Sequence, residues 1–168
     1  MKIDVALKFV APTPDLEQLV RQAIGYKSEM AAGIDLAACI AEPIEIPPLG
    51  APVLIPTGIA VHVNDPRWML ALYPRSGAGH KRGLVLGNGT GIIDADYQGE
   101  IKISAWNRNR DTVVEIQPGE RIAQMVLQQI AQMRLSEVPD FEASARGADG
   151  FGSTGTVSVD AKTPTDRN

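Results

Sequence analysis

Apolar and polar residues change places in short runs along most of the chain, and glycine or proline punctuates these runs. Residues 100–106 alternate cleanly, with Ile101, Ile103 and Ala105 in phase. A period of two is the mark of a strand with one buried face. Residues 53–63 are rich in Val and Ile, interrupted by Pro56 and Gly58, and residues 67–73 form a second apolar run. Residues 112–116 and 121–130 follow, separated by the turn signal Gln117-Pro118-Gly119-Glu120. The last run also fits a short helix, but its place among strands favours a strand. Short strands at regular spacing predict an all-β sandwich or barrel, and the recurring helices of a βαβ fold are missing.

One helix is expected near the start. Thr13 can cap it, Pro14 suits its first turn, Leu16, Leu19, Val20 and Ala23 share a face, and Gly25 ends it. The 168 residues are most simply one domain, large enough to bury a core without staples. A net charge of −4 argues against a nucleic-acid surface. The single cysteine, Cys39, rules out an intrachain disulfide framework or a cysteine metal cluster and reads as a small buried hydrophobe. No signal peptide and no membrane-spanning run is legible, so a soluble cytoplasmic protein is the expectation.

Two glycine-rich stretches stand out. Residues 87–99 hold four glycines, then Asp94, Asp96 and Tyr97. Taken alone they fit an ordinary turn or loop somewhat better than a loop where a ligand lies against backbone with a carboxylate and a ring beside it. The stretch has neither the Gly-Lys-Ser/Thr ending of a phosphate loop nor the spacing of a dinucleotide fingerprint. Residues 146–155 combine Arg146, Phe151, Ser153 and Thr154 with further glycines. By composition they are a linker; by chemistry they could close over a ligand, with phosphate donors and one stacking ring.

Five segments in order resemble the trimeric dUTP diphosphatase (dUTPase) family. They are Ala32-Gly33-Ile34-Asp35-Leu36, Pro74-Arg75-Ser76-Gly77, the stretch from Gly87 to Gly99, Pro118-Gly119-Glu120-Arg121-Ile122-Ala123-Gln124, and Arg146-Gly147 with Gly150-Phe151-Gly152-Ser153-Thr154-Gly155. Each is weak alone, and five in order make coincidence improbable. The resemblance implies a dUTPase-like β-barrel or jelly roll of short strands with one or few short helices. Residues 1–140 would form the β domain and 141–168 a mobile C-terminal arm and tail, polar after Thr156.

The implied reaction is hydrolysis of dUTP to dUMP and pyrophosphate with Mg²⁺, which keeps uracil out of DNA and supplies dUMP for dTMP synthesis. Asp94 matches the family's catalytic aspartate, the base for the attacking water. Asn88, with backbone from Gly91, Ile92 and Ile93, matches the uracil reader, and Tyr97 the ring that leaves no space for a 2′-hydroxyl. Arg75, Ser76, Gly77 and Gln124 match the phosphate grip. Asp35 matches an aspartate that supports the metal's water shell or a neighbouring arginine, the ion itself being held by substrate phosphates. Phe151 would stack on uracil while Arg146, Gly152, Ser153 and Thr154 close over the phosphates. The resemblance further implies a homotrimer with sites between subunits, and neither nucleic acid nor membrane as partner.

Two departures stand beside these matches. Asp149 occupies a position where the family commonly has glycine, and residues 24–31, with the helix before them, are not a general family element. Two other readings compete: a dCTP deaminase, which shares the fold but needs a glutamate to activate water at the cytosine ring, and a nucleotide-binding regulator without catalysis. Retention of Asp94, Arg75, Gln124 and the fifth segment favours the diphosphatase.

Overall fold

The computed structural model describes residues 2–145, 147 and 148, and the chain divides into two compact units, residues 1–132 and 133–168. Every helix and strand among the described residues belongs to the first unit. In chain order these are β1 (Ala6–Phe9), α1 (Pro14–Ala23), β2 (Ile34–Ala37), β3 (Ile44–Ile46), β4 (Val53–His62), β5 (Trp68–Pro74), α2 (Ser76–Lys81), β6 (Leu84–Leu86), β7 (Gly91–Ile93), β8 (Glu100–Asn107), β9 (Val114–Ile116) and β10 (Arg121–Gln129). The fold is the all-β arrangement expected. One sheet has strand order β1-β4-β8-β6, a second β2-β10-β5-β7, and β3 pairs with β9. All of the ladders are antiparallel.

The two larger sheets share one core. Ile55, Ile59, Ile101 and Ile103 enter it from the first sheet, and Leu36, Leu70, Leu72, Ile122 and Met125 from the second. The alternation in β8 is realised as expected: Ile101, Ile103 and Ala105 are all buried. In β10 the period breaks, because a register shift between Arg121 and Ala123 turns two successive residues, Ile122 and Ala123, inward. Residues 121–129 are a strand, which settles the choice between strand and helix.

Helix α1 begins as its residues dictate. Thr13 is extended and its hydroxyl accepts from the Leu16 amide at 3.3 Å, Pro14 opens the first turn, and Asp15 and Glu17 lie there. The chain leaves the helix through Gly25, whose φ of +125° suits glycine. Leu16, Val20 and Ala23 are buried, but Leu19 is 37% exposed and lies outside the buried stripe. It sits instead beside the turn before β10, where a Cβ built on Gly119 would lie 3.4 Å from that of Leu19. Helix α2 has no counterpart in the periodicity, since two of its six residues are glycine.

The middle of β4 is closely packed. Its register against β8 shifts between Pro56 and Ala60, and Gly58 sits in that bulge with φ of +69°. The Gly58 amide donates to Glu100 Oε1 at 2.9 Å, and the buried Thr57 hydroxyl donates to the Ile101 carbonyl at 2.6 Å. Cys39 is buried against this bulge, and burial followed by the charge of Glu100 pushes its thiol above the usual range. A Cβ at residue 58 would meet Cys39 Sγ at 2.7 Å. Gly58→Ala therefore combines a left-handed backbone with overpacking. It should cost about 2–3 kcal/mol in denaturant unfolding with an unchanged m-value. A cost under about 0.5 kcal/mol would show that the bulge relaxes freely.

Candidate active site

The expected site residues of the first unit gather in two places. The first is the end of the β2-β10-β5 sheet. Register sets Asp35 of β2 opposite Gln124 of β10, and Gln124 opposite Tyr73 of β5. The chain then leaves β5 at Pro74 and turns directly into α2, which brings Arg75, Ser76 and Gly77 to the same edge. Asp35 is 8% exposed and holds two arginines at once. Its Oδ1 accepts from Arg75 Nε at 2.9 Å and its Oδ2 from Arg121 Nη1 at 2.8 Å. Arg75 Nη1 also donates to the Arg121 carbonyl at 3.2 Å.

Gln124 Nε2 donates to the Pro74 carbonyl at 2.9 Å, and Gly33 leaves room for its other amide atom, since a Cβ there would lie 2.9 Å from Gln124 Oε1. Arg82 pairs with Glu120 and donates to the Glu115 carbonyl at 2.6 Å. A cavity of about 700 Å³ opens over this cluster, lined among others by Arg75, Gly77, Arg82, Glu120 and Arg121. Ser76 is exposed at the start of α2. Several guanidinium groups around one cavity suit a polyanion.

The second place is the stretch from Gly87 to Gly99. Residues 87–90 carry the chain from β6 in one sheet to β7 in the other, with Gly89 at φ of +74° and exposed Asn88 at the turn. Strand β7 is the outermost strand of its sheet, paired with β5 on one side. Its other edge therefore offers the outward-facing, alternate backbone N–H and C=O groups of residues 91–93, which no described strand takes up. Such an edge can pair with anything that presents complementary donors and acceptors.

Asp94 and Asp96 follow at once, both exposed. The Asp94 carbonyl accepts from the Tyr97 amide at 3.1 Å, and the Ala95 carbonyl from the Asn64 amide at 2.8 Å, which fixes the turn. Tyr97 is 43% exposed, yet its hydroxyl is tied to the Glu100 carbonyl at 3.1 Å. Its ring lies over Gly99, where a Cβ would be 3.1 Å from Tyr97 Cε2 and closer still to the ring's hydroxyl end. A second cavity of about 350 Å³ is lined by Trp68, Ile92, Asp94, Asp96 and others. Beside it Asp65 is held down to about 2 by hydrogen bonds from Arg67.

No lining residue is common to these two cavities: among the described residues Arg75 lines the first and Asp94 the second. Arg146, Phe151, Gly152, Ser153 and Thr154, and Asp149 with them, lie outside the described residues. Among the described residues no group of three His, Cys, Asp or Glu side chains could hold a metal ion, and both Asp35 oxygens are engaged by arginine. The donor set fits an ion that keeps its waters and is held by substrate phosphates, rather than a protein cage. Arg121 belongs to the fourth segment but had no assigned role. Its tie to Asp35, 86 positions away, comes from the pairing of β10 with β2.

A family model for dUTPase matches residues 21–155. The deoxyuridine 5′-triphosphate nucleotidohydrolase of Hahella chejuensis is 53% identical over 131 residues, covering 78% of this chain and 85% of that protein. The enzyme of the same name from Leptothrix cholodnii is 51% identical over 138 residues, covering 82% and 91%. Among solved structures, the Staphylococcus bacteriophage 80alpha dUTPase with dUPNHPP superposes with a TM-score of 0.76 at 26% identity, over 92% of this chain and all of that one. No described helix is long and apolar enough to cross a membrane. The chain belongs to the dUTPase family and is an enzyme that hydrolyses dUTP.

Proposed function

We propose that hydrolysis proceeds by attack of water on the α-phosphorus of dUTP, with Asp94 as the general base, in a site completed by more than one copy of the chain. The observation that carries this reading is the division of the machinery: the carboxylate with the backbone edge on one side, and the arginine cluster with its cavity on the other. A single chain holds two half-sites, and a symmetric homotrimer would join the halves of neighbouring copies.

In this mechanism the uracil edge pairs with the free backbone of β7 and with the amide of Asn88, as a further strand would. Cytosine presents a donor where uracil presents an acceptor, so it leaves buried polar groups unmatched. Tyr97, locked flat by its bond to the Glu100 carbonyl, lies under the deoxyribose and excludes a 2′-hydroxyl by contact. Arg75, Ser76, Gly77 and Gln124 orient the phosphates, and Asp35 keeps Arg75 and Arg121 aimed.

Asp94 takes a proton from the water as its oxygen bonds to the α-phosphorus. The bond from that phosphorus to the bridging oxygen breaks, and pyrophosphate leaves with the bridging oxygen. Mg²⁺, when bound through the phosphates, supplies charge neutralisation for that leaving group. Asp96 remains solvent-facing beside it. Arg146, Phe151, Gly152, Ser153 and Thr154 would close the site and exclude further water. The metabolic consequence would be removal of dUTP and supply of dUMP in the cytoplasm.

The substrate panel tests the reading directly. With Mg²⁺, dUTP alone among dUTP, dCTP, UTP and dTTP should release pyrophosphate; ammonia from dCTP, or tight binding without turnover, would sink it. Asp94→Asn should lower kcat by roughly 10²- to 10⁴-fold while dUTP binding changes little. Equal loss of binding would make Asp94 a structural residue. Asp35→Ala should raise KM for dUTP with at most about 1 kcal/mol change in stability, because the two arginines that lose their shared acceptor are partly in solvent. An unchanged KM would mean that Arg75 and Arg121 are not aimed by it.

A further inference from the structure

The cavity over α2 holds more positive charge than its ion pairs consume. Arg75 and Arg121 are committed to Asp35, and Arg82 to Glu120. Lys27 and Lys81 line the same cavity and form no salt bridge with any described residue. Glu120 is the only acidic residue in that lining. Lys81 has a local use, since it lies in the last turn of α2, where a cation meets the helix's free carbonyls. Lys27 has none: it is exposed, outside any helix or strand, and follows the exit of α1.

Two contacts position the segment that leads to Lys27. Leu19 braces α1 on the Gly119 turn, the turn that delivers Glu120 and Arg121. Gly25, two positions before Lys27, makes an isolated antiparallel bridge to Asp35, the residue that anchors both arginines. Helix α1 is thus braced at Leu19 on the turn before Arg121, and its exit is tied at Gly25 to Asp35. Its side chains Leu19, Gln22 and Ala23 complete the cavity wall. A flexible ammonium at the mouth of a cavity lined by fixed guanidiniums is placed to follow a polyanion whose position shifts as it is released.

We infer that Lys27 is a further substrate contact, which binds the diphosphate portion that leaves as pyrophosphate. The inference rests on the dUTP reading of this cavity. It adds an element, α1 with its exit, that the phosphate-binding segments do not include.

The test uses the full chain with Lys27→Gln and Lys27→Arg. Lys27→Gln should raise the KM for dUTP and weaken pyrophosphate inhibition by roughly three- to tenfold, with kcat and inhibition by dUMP unchanged. Lys27→Arg should restore most of the loss. Because Lys27 is exposed, its melting temperature should match that of the unmodified chain. Unaltered pyrophosphate inhibition in Lys27→Gln, or equal weakening of dUMP, would overturn the proposal. Calorimetric titration of pyrophosphate alone separates it from the catalytic reading. Weaker pyrophosphate binding by Lys27→Gln supports Lys27 even if dUTP turnover takes another course, and no binding by the unmodified chain refutes it.

Discussion

The shared core of the two larger sheets is the constraint on which the remaining structure depends. Each sheet can bury only one face, so the chain must keep moving between sheets to put alternate residues of both into the same interior. The moves are made where strands end. Between β6 and β7 the crossing takes residues 87–90, and between β5 and β6 it takes the short helix α2. These are the places where backbone and polar side chains are free of the ladders, and they hold Asn88, Arg75, Ser76 and Gly77, while Gln124 and residues 91–93 lie in the neighbouring strands β10 and β7. The proposed site lies at and beside the crossings, where strands of the two sheets end.

The Asp35 cluster shows how such an edge is made rigid. A carboxylate that is 8% exposed would be costly if unpaired, and two guanidinium groups offset its desolvation. The arginines are themselves partly in solvent, so the cluster adds little net stability. Its effect is positional. One residue on β2 fixes side chains from the end of β5 and the start of β10, and Gly25 adds the exit of α1 to the same anchor. Preorganised cations need no reordering when a polyphosphate arrives.

How much of this was legible depended on how local the cause was. The Thr13 cap, Pro14 and the Gly25 exit are decided within a few residues, and the helix came out as its sequence implies. The inward phase of Ile101, Ile103 and Ala105 is equally local. Strands β1, β3 and β6 are only three or four residues long, too short for a period to register, and β1 is mostly exposed. Leu19 carries the helical phase of a core residue, but its partner is the Gly119 turn, a hundred positions away. The family motifs named Arg75, Asp35 and Gln124. The pairing of Arg121 with Asp35, and the separation of Asp94 from the arginines within one chain, are properties of strand order that no motif contains.

Strand β7 has one more consequence. An outermost strand with an open edge invites pairing with any other extended chain, which is how sheet proteins aggregate. Here the open edge is three residues long, begins at a glycine and is followed by the exposed carboxylates of Asp94 and Asp96. Shortness and like charge are the usual defences of such edges. The residues proposed to receive a nucleotide therefore also act as gatekeepers: they keep the edge open to a small planar base while repelling another protein's strand.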